Sequence, residues 1–127
     1  MRVVRILHHS VNVQDELDDA VAFYSDVLGL EAEPSRPDIP GVGGRWFRVG
    51  EAELHLVDAN PGAGDIRPTD VHVCLAVDSI DEAIARLDGA GVAYLTAAQG
   101  PVTQVFVADP CGNVIELQED RALRGPS

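Results

Sequence analysis

The stretch HHSVNV, residues 8–13, alternates polar and apolar side chains, and a matching stretch, HVCLAV, residues 72–77, recurs in the second half of the chain. Successive strand side chains point to opposite faces, so only one of the adjacent His8 and His9 can look into a given site. Val11 and Val13 belong against a helix, and His9 shares their parity; His8, Ser10 and Asn12 take the other face. In the second stretch Val73, Leu75 and Val77 form the helix side and leave His72, Cys74 and Ala76 opposite. His8 and His72 are therefore counterparts, each five residues before the last valine of its stretch.

The order of elements around these stretches also repeats. DELDDAVAFYSDVLG, residues 15–29, carries Leu17, Val21, Tyr24 and Leu28 at helical spacing, with acids in its first turn and Gly29 as a stop. Extended pieces LEAEP, RWFRVG and AELHLVD follow, parted by Pro and Gly. DANPGAGDIRPT, residues 58–69, has turn composition throughout. Beyond HVCLAV comes a second helix, SIDEAIARLDGAG, with Ser79 and Glu82 spaced as a capping box, then strands VAYLT, TQVFVADP and NVIELQED. Each half thus reads strand, helix, three strands. A unit of about 60 residues is near the lower limit for standing alone. The expectation is a single α+β domain over residues 1–127, with two tandem βαβββ modules at about 3–58 and 70–119, a linker at about 59–69, and one shared sheet or saddle with the helices outside.

The fourth strands of the two halves complete a pattern. ELHLVD matches IELQE: Leu54 and Leu56 are core-like while Glu53, His55 and Val57 oppose them, and Ile115 and Leu117 are core-like while Glu116 opposes them. His55 is the repeat mate of Glu116. His8, His55, His72 and Glu116 therefore occupy two equivalent positions in each half, all on the face away from the helices, and form a metal-ligand set. Three imidazoles and a carboxylate suit a borderline divalent cation, zinc or nickel first, with iron, manganese or cobalt also compatible. An octahedral ion would keep two positions open for water or substrate, which is what catalysis needs. His9 is left as a structural residue.

Composition narrows the partner. The 127 residues hold 21 acids against 9 arginines and no lysine, for a formal charge of −12, so nucleic acid and anionic membranes would repel the chain and a small molecule is the expected partner. No run approaches the roughly 20 apolar residues of a membrane span, and the first residues lack a signal-peptide layout. A cytoplasmic location is expected. Cys74 and Cys111 lie in no CxxC and read as reduced thiols.

HHSVNVQDELDDAVAFYSDVLGLE, residues 8–31, resembles the opening strand and helix of the vicinal oxygen chelate superfamily, and VFVADPCGNVIELQE, residues 105–119, resembles its closing hairpin. That superfamily includes glyoxalase I, methylmalonyl-CoA epimerase, extradiol dioxygenases, fosfomycin-resistance thiol transferases and bleomycin-sequestering proteins. The resemblance covers residues 3 to 119. It implies paired βαβββ modules, usually in a homodimer, and a metal held at the slots of His8, His55, His72 and Glu116. Three departures stand out. Cys111 replaces the usual second aspartate of Asp-Pro-Asp-Gly at a turn. One residue is inserted at QDEL, residues 14–17, which keeps His9 as an alternative to His8. Glyoxalase I generally has glutamate in the slot of His55, whereas GRWFRVGEAELHLV looks more like glyoxalase-related proteins of uncertain substrate.

The resemblance implies a metal-dependent lyase or isomerase of the glyoxalase type, acting on a small carbonyl or hydroxy-acid substrate through an enediolate-like intermediate, with Glu116 as the base. Parity puts Asn12, Cys74, Gln104 and Phe106 on or near the cleft face. Trp46 and Arg48 share a face of the third strand and are candidates to hold an anionic or planar substrate. Trp46 is otherwise core packing, Arg48 a surface ion pair, and Cys74 a small buried hydrophobe rather than a nucleophile or thiol ligand. The loop SRPDIPGVGG, residues 35–44, is expected to cover the cleft mouth. Two other readings compete: an extradiol-type iron dioxygenase, which the extra His55 would crowd, and a metal-free drug- or metabolite-binding resistance protein, which an aromatic content of only 5% opposes.

Overall fold

A computed structural model of the chain describes residues 1–60, 64–110 and 113–121. Its elements follow the duplicated order. The first half comprises β1 (Val3–Asn12), α1 (Leu17–Ala22), a very short β2 (Glu31–Ala32), β3 (Gly43–Val49) and β4 (Ala52–Asp58). The second comprises β5 (His72–Val77), α2 (Ile80–Ala90), β6 (Tyr94–Gln99), β7 (Val102–Ala108) and β8 (Val114–Glu119). All strands join one sheet in the order β2-β3-β4-β1-β5-β8-β7-β6. β1 runs parallel to β4 as β5 runs parallel to β8, and the halves meet where β1 and β5 pair antiparallel. The two halves are thus related by an approximate twofold axis through that seam. This is the paired-module α+β fold the sequence implies.

The second helix forms as its residues dictate. Ser79 accepts the backbone N–H of Glu82 at 3.2 Å and satisfies one of the free donors of the first turn. Gly91, at φ 69°, closes the other end in the left-handed conformation that glycine adopts without strain. Between these caps Ile80 and Ala83 bury against Val77, Val105 and Leu117, and half-buried Leu75, Val107 and Ile115 complete the layer. The alternation of β5, β7 and β8 therefore puts one face under α2 and leaves the other for a site.

The first helix departs from expectation. Regular α-helix stops at Ala22, and Phe23–Val27 continues with the wider π spacing, marked by the bond from Leu28 N–H to the Phe23 carbonyl at 3.0 Å. The extra residue per turn carries the apolar stripe out of phase. Leu17, Val21 and Tyr24 stay half-buried, the last beside Phe47, while Leu28 swings out to solvent. QDEL forms a tight turn, where Asp15 takes a φ of 64° and its N–H is held by Asp58. LEAEP shortens to β2 because Pro34 cannot donate to a ladder. Cys111, and the middle of the linker, lie outside the described residues. Among the described residues no helix is long and apolar enough to cross a membrane.

Candidate metal centre

The face away from the helices bounds a cavity of about 750 Å³. His8, His55, His72 and Glu116 all line it, and each is buried. His9 lies on the other face and is exposed. His8 and Ser10 take the cavity face that their parity assigns, whereas Asn12 is not on the lining. A bulge between Ile6 and His8 breaks the alternation upstream, so that Arg5, Leu7 and His8 line the same cavity.

Three of the four groups converge on one oxygen. Glu116 Oε1 lies 3.0 Å from His72 Nε2 and 3.2 Å from His8 Nε2. The other oxygen, Oε2, accepts from Gln118 Nε2 at 2.6 Å and Gln104 Nε2 at 3.2 Å. Cys74, fully buried on β5, lies beside the same carboxylate, and burial first, then the charge of Glu116, pushes its thiol up. Burial alone would raise Glu116, yet the hydrogen bonds from His72 and His8, the charge of His8 and the bond from Gln118 together hold it well below the usual carboxylate range. Glu116 is a buried, ionised carboxylate on the cavity wall.

His72 carries a further constraint. Its Nδ1 lies 2.7 Å from the Asp70 carbonyl, which only accepts, so Nδ1 bears the hydrogen. Nε2 faces Glu116 Oε1 at 3.0 Å, where it donates if the ring carries a second hydrogen and offers a lone pair if it does not. Two acceptors at this separation need positive charge between or upon them, supplied by a second ring proton or by a cation. A backbone carbonyl on the far nitrogen is also the usual support of a metal-bound histidine. The donor set therefore fits a divalent ion. His8, Cys74 and Glu116 independently offer ligand atoms within 4.8 Å of one another.

His55 joins the cluster by its ring. It stacks on His8 with centroids 3.8 Å apart and on Trp46 at 4.0 Å, nearly parallel at 2°. Its Nε2 is turned to Glu53 Oε1 at 2.8 Å instead of to Glu116. Burial, then the charge of His8, pushes His55 down to about 2, so it is neutral. Burial together with the nearby Glu33 raises Glu53 above the ordinary carboxylate value. Glu53 is the functional candidate the sequence reading passed over, although it shares the face of His55 two residues away.

The remaining candidates divide. Trp46, Gln104 and Phe106 line the cavity, Phe106 edge-on to His72 at 5.8 Å. Asn12 is spent on the linker, its amide donating to the carbonyls of Ala59 and Thr69. Arg48 is exposed and bonded to Glu33 at the sheet edge, outside the cavity lining. The loop over residues 35–44 does border the mouth, through Arg36, Asp38 and Ile39 among others. Gln118 was missed, although it lies two residues beyond Glu116 on the same strand face.

With this fold and this cluster the chain belongs to the Glyoxalase/Bleomycin resistance protein/Dioxygenase superfamily, whose family model matches residues 5–117. Among particular relatives, mitochondrial methylmalonyl-CoA epimerase of Bos taurus is 31% identical over 130 residues, covering 91% of this chain and 74% of that one. The uncharacterized protein YaeR of Escherichia coli is 29% identical over 89% of this chain and 95% of its own length. In structure, methylmalonyl-CoA epimerase of Streptomyces coelicolor, solved with 2-nitronate-propionyl-CoA, superposes with a TM-score of 0.74 at 20% identity over 98% of this chain and 100% of that chain.

Proposed function

We propose that this protein is a divalent-metal-dependent isomerase or lyase that moves a proton beside the carbonyl of a small oxygenated substrate. The observation that carries this reading is the convergence of His72 Nε2, at 3.0 Å, and His8 Nε2, at 3.2 Å, on Glu116 Oε1 in a buried site. His8, His72 and Glu116, with His55, would hold the ion, and zinc or nickel suits such a set. When bound, the ion supplies electrostatic stabilisation to negative charge developing on a substrate oxygen.

The chain's own groups account for the rest. Gln104 and Gln118 orient the Glu116 carboxylate, and their bonds must loosen before it can accept a proton as base. Glu53 faces the same cavity with its proton affinity raised, and it can carry a proton that Glu116 does not keep. Trp46 and Phe106 wall the space and exclude water. The epimerase relative supports an isomerase reading in preference to oxygen chemistry.

Solvent-deuterium exchange tests the proposal. Zinc- or nickel-loaded protein in deuterium oxide, offered 2-hydroxy aldehydes, 2-oxo acids and methylmalonyl-CoA, is expected to replace the hydrogen beside the carbonyl of one of them, as followed by proton NMR. A chelator is expected to stop the exchange. Exchange with none of them, or exchange indifferent to the chelator, would overturn the reading.

A further inference from the structure

One arginine on the cavity lining is neutralised by no acid among the described residues. Arg5, on the lining, is held by Asp120, with Nη2 3.1 Å from Oδ1. Arg121 is exposed to solvent, where an ion pair contributes little. Arg36 is half-buried and differently placed. Its Nη2 donates to the Val42 carbonyl at 2.8 Å and its Nη1 to the Pro37 carbonyl at 3.3 Å, both within its own loop. Among the described residues no carboxylate lies within ion-pair distance of it. A guanidinium has five N–H donors, so the loop fixes the group while leaving its charge and most of its donors unspent.

β3 is built to receive this side chain. A Cβ at Gly44 would stand 3.0 Å from Arg36 Nε and 3.1 Å from Nη2, so the guanidinium packs across backbone that carries no side chain. Gly44 and Trp46 share a strand face, and Trp46 stacks on His55. Arg36 is therefore aligned along the same wall as the histidine cluster, and its charge reaches His55, whose protonation it opposes.

We propose that Arg36 is the anion-binding residue of the cavity and receives the carboxylate of a small organic acid whose carbonyl or hydroxyl oxygens lie toward His8, His72 and Glu116. This rests on the proposed function and adds the substrate class. One planar guanidinium matches one carboxylate in a two-pronged geometry. Asp38, Glu51 and Glu53 line the same cavity, and the chain has no lysine, so a dianionic phosphate would meet surplus negative charge. Arg48, the arginine expected from the sequence to meet an anion, is already satisfied by Glu33.

Trp46 is the single tryptophan of the chain and reports from this wall. Zinc-loaded and metal-free protein are each titrated with lactate, pyruvate, malonate and methylmalonate, every acid against its neutral amide, by Trp46 emission and calorimetry. At least one acid is expected to bind saturably, with its amide about tenfold weaker or worse. Arg36→Gln is expected to cost roughly ten- to hundredfold in affinity for that acid, the loss of a charge-assisted pair, without altering zinc binding. Arg36→Lys should recover part of it. Arg45→Gln, which removes the same charge from the exposed far face of β3, should change nothing. If no acid binds, if acid and amide bind alike, or if Arg36→Gln binds as wild type does, the inference is overturned. Failure of zinc to bind would sink the proposed function instead, because the acid-over-amide preference of the metal-free protein tests Arg36 by itself.

Discussion

His8 and Glu116 sit on strands that are not neighbours, β1 and β8 with β5 between them, yet His8 Nε2 lies 3.2 Å from Glu116 Oε1. Two strand spacings in a flat sheet are about 9–10 Å. The two side chains meet by leaning over the central strand, and the residue beneath them is Cys74, which registers with His8 on one side and Glu116 on the other. A small residue there leaves room for the contact.

Size at position 74 should therefore govern the site. Cys74→Ala is expected to keep zinc affinity close to wild type, whereas Cys74→Leu forces the two ligands apart and overpacks the seam by about 1–3 kcal/mol. Zinc calorimetry alongside denaturant titration checks both. Equal zinc affinity in the two variants would refute the spacer role.

Acid should destabilise the metal-free protein in two stages. His55 is pushed from 6.5 down to about 2, so below about pH 6.5 the unfolded chain takes up a proton that the folded chain refuses. Glu116 is held below its ordinary 4.5, so through that region the unfolded chain again binds the extra proton. Both signs agree. Stability is present at neutral pH and is lost as pH falls, first below about 6.5 and further below about 4.5. Glu53, held above its ordinary 4.5, acts with the opposite sign and blunts the fall where it titrates. Urea midpoints should fall from about pH 7 to about pH 4 on balance, the decline starting below about pH 6.5; a flat profile would count against buried neutral His55.

The amides that grip Glu116 should matter without touching an ion. Gln118→Leu removes the 2.6 Å bond to Oε2 and is expected to lower zinc affinity about ten- to hundredfold, as loss of a ligand's supporting partner does. Competition against a chelator of known affinity measures this. An unchanged constant would mean that Glu116 needs no such support.

Fold stability should separate from the site. Phe47, fully buried on the helix side of β3, is expected to cost about 3–5 kcal/mol when changed to alanine, and Ser79→Ala about 1 kcal/mol through the lost cap. Neither residue lines the cavity, so zinc affinity per folded molecule should not move. Thermal and denaturant unfolding read the first effect and calorimetry the second.

Strand alternation and the internal repeat made the fold legible. HHSVNV and HVCLAV have a period of two that fixes which face each histidine takes, and the structure brings His8, His72 and Glu116 together on that face. What alternation cannot encode is rotation about the side-chain bonds. His55 has the right parity but turns its Nε2 to Glu53, and Arg48 shares a face with Trp46 but reaches sideways to Glu33. Loops carry no period either. The loop at 35–44 was read as a cover for the mouth, but the anchoring of Arg36 over Gly44 depends on a backbone path that composition does not specify. Helix spacing misled only where the π turn shifted the stripe at Leu28.

The central claim is that both halves of the duplicated chain hold one divalent ion. Crystals grown with zinc, with diffraction recorded on both sides of the zinc absorption edge, test it directly. The account predicts an anomalous peak within bonding distance of His8 Nε2, His72 Nε2 and Glu116. A map with no peak there, and the His72–Glu116 contact intact in fully zinc-saturated solution, would contradict it.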